Sequence, residues 1–370
     1  MIVMKIGLNN FLSFRDFSIT FSYPKRIASS FVEGEYLKDR PNFRYKKIIV
    51  LMGANASGKT SLGRMLNYIF NFMMTKNTAG LISAVCDKAV EASFSIDFVP
   101  EQAGAELYRL ETIIKPVSEN EEPEILSRFR HVKINKSDNY ERASARLSMS
   151  EGKHEEYLSV LHSIPRFGYF FSYPVDVVPN TVPKYNNGTY RAVLEKVLKA
   201  FDPSIERVEI VKEARNSYNI HMQTGQNILI QEGQAVNTYL LSSGTKAGIA
   251  IADILSALKE GKYGFYYCDE RFSYVHSDLE KTILTLMVNL LGENEQMIFT
   301  THNTDILDIS LPKHSFVFLK KKAYGDKLQI TSVNAEQYLK QNNASIRRAA
   351  ENDLFSASPD TDLLYDILDI

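Results

Sequence analysis

At 370 residues, with a formal net charge of -1 and a sequence pI of about 6.7, the chain carries no global charge that advertises nucleic acid or an anionic membrane. Its length accommodates a single large α/β unit with an inserted subdomain. The two cysteines, Cys86 and Cys268, stand far apart and outside any CxxC pair, which argues against a disulfide framework or a zinc site and fits a reducing cytoplasm.

Residues 1–23 predict two strands, "MKIGLNNFLSF" and "FSITF", parted by the turn-prone pair Arg15-Asp16. Lys5 and Arg15 interrupt this segment, so it makes a poor signal peptide. No apolar run approaches the ~18 residues needed to span a bilayer, so the expectation is a cytoplasmic chain without membrane contact. After a polar stretch, the run Ile48 to Met52 has the length and β-branched content of a buried strand, and "SLGRMLNYIFNFMMT" beyond it has helical spacing. Between about 92 and 136 the pattern changes to short alternating runs, "ASFSIDFVP", "LYRLETIIKP" and "RFRHVKINK", which predict an antiparallel meander. Helices are expected at "HEEYLSVLHSI" and "YRAVLEKVLKAF", with an aromatic, proline-containing loop between them. A second meander follows at "IERVEIVKE", "SYNIHMQT" and "NILIQEG". The last third alternates strand and helix through "GFYYCDE", "DLEKTILTLMVNLLG", "QMIFTTHN" and "HSFVFLKKK", a pattern that argues for a parallel sheet covered on both faces.

The strongest chemical signal is "GANASGKT", Gly53 to Thr60, which fills every fixed position of the phosphate-loop pattern between a buried strand and a helix. Glycines let backbone N–H groups turn inward around phosphate oxygens, and the helix N-terminus adds partial positive charge. The expected nucleotide-binding set is Gly53, Ala54, Asn55, Ala56, Ser57, Gly58, Lys59, Thr60 and Ser61. Within it, Lys59 reaches the terminal phosphates of ATP and Thr60 ligates Mg²⁺. An acidic pair ending an apolar strand is by itself a surface feature. Downstream of a phosphate loop, however, Asp269 reads as a Mg²⁺ holder and Glu270 as the group that polarises an attacking water. "MIFTTHN" delivers His302 at a strand's carboxyl end, where ligands sit in such sheets and where it can sense a γ-phosphate. The stretch "LSSGT" opens a helix with Ser242, Ser243, Gly244 and Thr245; a capped helix start looks the same, yet it also offers a second anion-binding surface.

With these motifs in this order, the chain resembles ABC-type ATPases of the compact kind related to SMC proteins, Rad-type repair ATPases and the ATPase half of overcoming-lysogenization-defect nucleases. Within that AAA-family group it is most similar to ATPases of bacterial phage-defence operons, of the PARIS, RloA and AbiL abortive-infection types. The segments that carry this match are "IGLNNFLSFRDFSITF", "LEKVLKAFDPSIERVEI", "LLSSGTKAGIAIADIL" and "FTTHNTDILD". The resemblance implies an α/β P-loop fold of ABC-ATPase head type, a mixed or parallel sheet core flanked by helices, with an antiparallel β subdomain and a helical insert. No heptad run long enough for a coiled coil is present. It implies one ATPase domain over 1–370 in two lobes, 1–136 and 236–370, with an insert at 137–235.

The resemblance further implies a head-to-tail homodimer or higher homo-oligomer with ATP and Mg²⁺ buried between subunits. The loop 53–60 of one subunit would face Ser242 to Thr245 of the other, with Lys59, Glu270 and His302 as the catalytic set. The loop "RFSYVH", 271–276, departs from the usual small and acidic pattern while keeping a histidine at His276, which leaves its trans contacts and the hydrolysis rate open. Gln102 is a weak candidate for the family's lid glutamine. No Toprim-like acidic constellation follows His302, so nuclease or toxin activity is expected in a partner effector, with DNA or a phage protein as the trigger. Basic residues in "RFRHVKINK", chiefly Arg128, Arg130 and Lys133, are expected on one sheet face, as solvated charge or as a polyanion contact. A DNA-repair ATPase that binds duplex directly, and a nucleotide-gated scaffold with negligible turnover, are the alternatives.

Overall fold

The computed structural model describes the chain apart from residues 28–29, 31, 101–104, 117–121, 174–186, 233, 237–240, 274, 325–326, 340–343, 356–366 and 368–370. It divides into two compact units, Met1–Phe167 with Ile298–Ile370, and Gly168–Met297.

The first unit opens with β1 (Ile2–Asn9), β2 (Phe17–Thr20), the short hairpin β3 (Tyr36–Leu37) and β4 (Arg40–Arg44), β5 (Ile48–Met52), α1 (Lys59–Thr75) and α2 (Ala79–Ala84). It continues through β6 (Ala92–Val99), β7 (Glu106–Ile114), β8 (Ile125–Lys133), α3 (Tyr140–Met149), β9 (Glu155–Glu156) and α4 (Tyr157–Leu161). The second unit holds β10 (Tyr169–Ser172), α5 (Asn187–Phe201), β11 (Ile205–Ile210), β12 (Ser217–Met222), β13 (Asn227–Gln231), β14 (Gln234–Ala235), α6 (Ser243–Glu260), β15 (Phe265–Asp269) and α7 (Ser277–Leu290). The chain returns to the first unit within β16 (Gln296–Thr300) and ends with β17 (Phe316–Tyr324), β18 (Lys327–Asn334), α8 (Ala335–Tyr338) and α9 (Ile346–Glu351).

In the first unit the expected meander is an antiparallel sheet of order β2-β1-β6-β7-β8-β9. Helix α3 packs on it through Tyr140, Ala143 and Leu147, three and four residues apart and so on one helical face, against Leu107, Phe43 and Tyr45. Asn139 caps this helix by accepting from the Arg142 N–H at 3.0 Å. Beside the meander, β5 is buried at all five positions and pairs parallel with β17, which pairs antiparallel with β18. A strand buried on both faces needs no alternation, which is why the run Ile48–Met52 reads as continuous apolar sequence.

In the second unit, α5 sets Tyr190, Leu194 and Leu198 on one stripe against Val208, Tyr218 and Ile230 of the antiparallel strands β11 to β13. Helix α6 joins that core through Ile249 and Ala252, and Gly248 lets it approach α5: an added Cβ would meet Leu198 Cδ2 at 3.3 Å. Strand β10 pairs parallel with β15.

Several expectations are corrected. The compact units divide at 167/168 and 297/298, and α3 belongs to the meander's core. The first strand ends at Asn9, since Asn10 and Leu12 take left-handed backbone angles of 60° and 49°, and Asn10 Nδ2 donates to the Asp87 carbonyl at 2.7 Å. Only Tyr157–Leu161 of "HEEYLSVLHSI" is helical. The basic residues of β8 do not share a face: alternation puts Arg128 and Arg130 on one side and Lys133 on the other.

Candidate functional site

The loop after β5 is built from backbone angles that side chains resist. Gly53 has φ 149°, and a Cβ there would lie 2.3 Å from the Leu319 carbonyl oxygen of β17. Gly58 has φ 106°, and a Cβ there would lie 2.7 Å from Ile330 Cδ1. Between them Ala56 also takes a positive φ of 61°. Gly58 caps α1 with no side-chain hydrogen bond, and the helix has no acidic residue in its first turn. The helix start therefore presents N–H groups without a local carboxylate to compete with an anion.

Lys59 is 3 % exposed and folds back over this loop. Its Nζ donates to the Gly53 carbonyl at 2.8 Å and the Ala54 carbonyl at 3.2 Å, and stands 3.5 Å from His302 Nδ1. Ser57 Oγ is buried and meets no hydrogen-bond partner among the described residues. Thr60 and Ser61 follow at the start of α1, both half-buried. The glycine-walled cradle, the ammonium at its mouth and the unsatisfied hydroxyl fit a phosphate chain. Among the described residues no three His, Cys, Asp or Glu side chains are gathered to cage a metal. Mg²⁺ that binds with a nucleotide needs only one or two protein ligands beside phosphate oxygens and water, and the Thr60 hydroxyl at the start of α1 could supply one.

His302 reaches the loop because β16 runs into it: the Thr301 N–H donates to the Leu51 carbonyl of β5 at 3.4 Å. Thr301 Oγ1 accepts from the Asn303 N–H at 3.0 Å, and Asn303 Oδ1 accepts from the Asp305 N–H at 2.9 Å, starting the 3-10 turn Thr304–Asp308. A cleft of about 480 Å³ opens beside His302, bounded by Gly53, Ala54 and Asn55 on one side and by Ala350, Asp353 and Phe355 on another. Asn303 was not singled out in the sequence, although Asn two positions before Asp is a local capping signature.

The remaining predicted residues lie in the second unit. Asp269 is fully buried at the end of β15, and Glu270 follows at φ 43°, a left-handed angle that is uncommon for a non-glycine residue. Ser273 Oγ donates to the Glu270 carbonyl at 3.0 Å. In the unusual loop, Arg271 Nε donates to Ser172 Oγ at 2.8 Å. Burial lowers its pKa, opposed by Asp253, Cys268 and Asp269. His276 is exposed and caps α7, accepting from the Asp278 N–H at 3.3 Å. At the start of α6, Ser242 Oγ accepts from the Thr245 N–H at 3.0 Å and lies 2.8 Å from Thr245 Oγ1. Thr245 is thus enclosed in its own cap, whereas Ser242 and Ser243 are exposed and Gly244 is half-buried. Gln102 lies outside the described residues.

The basic strand has a structural account for two of its members. Arg128 Nε and Arg130 Nη2 both donate to Glu111 Oε2, at 2.9 and 2.6 Å, and Arg130 Nη1 also donates to the carbonyls of Leu147 and Ser150 at 3.1 and 2.8 Å. Burial alone would raise the Glu111 pKa, but these guanidiniums hold it below the usual carboxylate range. Lys133 is exposed at the end of β8.

The sequence profile of the AAA_21 family, described as "AAA domain, putative AbiEii toxin, Type IV TA system", matches residues 48–308. No curated protein matches the chain. Among solved structures, the chain is similar to an SMC head bound to the C-winged helix domain of ScpA, at 13 % identity and TM-score 0.54, over 91 % of this chain and 100 % of that one. An SMC head with an extended coiled coil, bound to the C-terminal domain of ScpA derived from Pyrococcus furiosus, gives 12 % identity and TM-score 0.54 over 92 % and 98 %. An SMC head with coiled coil and joint from Pyrococcus yayanosii gives 9 % and 0.50 over 95 % and 99 %. No helix of the described residues is long and apolar enough to cross a membrane. With a mixed sheet, a complete phosphate loop and these likenesses, the fold is that of an SMC-head-like ABC ATPase, and the chain belongs to the AAA_21 family of AAA domains.

Proposed function

We propose that the chain binds ATP with Mg²⁺ and hydrolyses it, as the sensor and regulatory subunit of an anti-phage defence complex. The observation that carries the nucleotide reading is the loop Gly53–Thr60 itself, with its cradle angles, buried Lys59 and nearby His302 within one compact unit. Gly53 to Ser61 hold the phosphates and Thr60 and Asp269 hold the metal, which supplies charge neutralisation on the phosphate oxygens when bound. Glu270 orients and deprotonates the attacking water, and His302 senses the terminal phosphate. Ser242, Ser243, Gly244 and Thr245 serve the nucleotide of a second copy in an ATP-dependent homodimer or larger homo-oligomer. The exposure of Ser242 and Ser243 at the start of an 18-residue helix supports that assignment.

The defence role is supported by the matched family, whose description names a toxin and a toxin–antitoxin system. Control of a partner effector, a nuclease or toxin encoded nearby, is the form of output we assign, with DNA or a phage protein as trigger. SMC heads of this fold bind ScpA, so a protein partner has a fold-level parallel. Direct recognition of polyanions through Arg128 and Arg130 is disfavoured by their shared ion pair with Glu111, whereas Lys133 is exposed. The test is ATP turnover by the purified protein, followed by light scattering with and without ATP. Absence of nucleotide binding would overturn the reading.

A further inference from the structure

Helix α9 is tied to the segment that follows His302 by one side chain. Arg347 Nη1 bonds Asp305 Oδ1 at 2.9 Å and Asp308 Oδ2 at 2.6 Å, both in the 3-10 turn Thr304–Asp308, while its Nε bonds Glu351 at 2.9 Å within α9. The turn is pinned at its near end by the Thr301, Asn303 and Asp305 hydrogen bonds and at its far end by this guanidinium. Just beyond α9, Phe355 stacks on Phe318 of β17, ring centroids 4.1 Å apart. Strand β17 is the parallel neighbour of β5, whose end gives rise to the phosphate loop. The α9 segment thus bridges the two supports of the site. Between its anchors Ala350, Asp353 and Phe355 wall the cleft that the loop and His302 line from the other side.

The geometry points to Arg347 as a positioning residue for His302: by holding the turn Thr304–Asp308 against α9, it fixes where the imidazole stands over the phosphate loop. Two carboxylates from one element and one from another surround a planar, forked donor, which a lysine cannot reproduce. Arg347 itself does not line the cleft, so it acts through the turn and not on a ligand. Loss of the Arg347 contacts alone would accordingly change the switch while leaving the residues of the loop in place. For the hydrolysis consequence, the inference rests on the nucleotide reading above.

The primary test does not need turnover. With histidines ¹³C-labelled at the ring, the His302 signal is assigned by its loss in His302→Gln and then followed in Arg347→Gln, Arg347→Lys and the neighbouring control Arg348→Gln. The expected result is a shifted or broadened His302 signal in Arg347→Gln, partial recovery in Arg347→Lys and no change in Arg348→Gln, with melting temperatures close to that of the parent. An unmoved His302 signal in a folded Arg347→Gln protein overturns the inference. The second arm measures kcat and nucleotide affinity in a double-mutant cycle of His302→Ala and Arg347→Gln. Arg347→Gln should lower kcat about tenfold with affinity within about twofold, and should cost nothing further in the His302→Ala background. Full additivity of the two losses also overturns it. A parent protein that binds no ATP would defeat the functional reading alone, because the histidine signals still decide the positioning claim.

Discussion

Lys59 Nζ lies 3.5 Å from His302 Nδ1 although 243 positions separate the two residues in the chain. The ammonium is meanwhile held by two carbonyls of its own loop, so it waits at the mouth of the cradle in a geometry that phosphate oxygens can replace. The binding proposed for Lys59 and the sensing proposed for His302 would therefore share one contact.

Replacing Lys59 with Ala should weaken ATP binding by roughly 100-fold, the equivalent of one charge-assisted hydrogen-bonded contact of about 2–3 kcal/mol. Calorimetric titration of the variant reads this directly. Retained affinity would remove Lys59 from the site.

The two loop glycines should differ in tolerance. In Gly53→Ala the new methyl meets a backbone carbonyl at 2.3 Å, whereas in Gly58→Ala it meets the end of a flexible isoleucine at 2.7 Å. Both carry the cost of a strained backbone, about 1–3 kcal/mol. Gly53→Ala should nevertheless be the more destabilised in urea melts, because a strand carbonyl cannot rotate away.

Glu270→Gln should lower turnover by about 10²–10⁴, the range for loss of a general base, while ATP binding persists. A nucleotide-dependent rise in mass by light scattering should then become long-lived. Unchanged turnover and unchanged mass in ATP would sink the assignment.

Ser243 is exposed at the first position of α6, so Ser243→Arg should leave the fold and the binding of ATP by single subunits intact. Pairing in ATP should be lost, since a bulky side chain would occupy the surface proposed to receive the second copy's phosphate. Equal pairing by parent and variant in sedimentation runs would refute a trans role for this segment.

A buried lysine sets a pH signature away from the site. Lys46 is 1 % exposed, with its Nζ bonded to Asn334 Oδ1, and burial pushes its pKa down to about 8 against the raising influence of Glu336 and Glu35. Between about pH 8 and 10.5 the unfolded chain binds the additional proton, so this group's contribution to stability grows as pH rises through that window and is lost as pH falls back toward 8. Its size is about 3 kcal/mol over the window. Denaturation of the parent and of Lys46→Met across that range should show a steeper rise with pH in the parent; parallel curves would contradict it.

The phosphate loop is legible in the sequence because its requirement is local: Gly53 and Gly58 sit at positive φ with close approaches that make a Cβ costly, at a fixed spacing after an apolar strand. The same holds for Ser242 as a cap, which accepts from a residue three positions on. Strand alternation gave both meanders, since period-2 burial is written into neighbouring residues. What alternation does not contain is the partner of each charge. Arg128 lies opposite Glu111 only because β7 and β8 pair in that register, so a stripe that reads as basic is partly neutralised by an adjacent strand. The Arg347 cluster is hidden for a like reason, its acids coming from positions 305, 308 and 351. Unit boundaries stay out of sight because the first unit is discontinuous in the chain.

That discontinuity has a consequence for the order of synthesis. The first unit begins at Met1, pauses after Phe167 and is completed only from Ile298 onward, so its phosphate loop leaves the ribosome 243 residues ahead of His302. At about 5–20 residues per second, roughly 12–50 s pass before the two can meet. Through that interval the nascent chain carries the residues of the phosphate loop without His302. The strands that wall the cradle come later still, since Leu319 of β17 and Ile330 of β18 stand against Gly53 and Gly58, so the loop gains its supports only after His302 has been made.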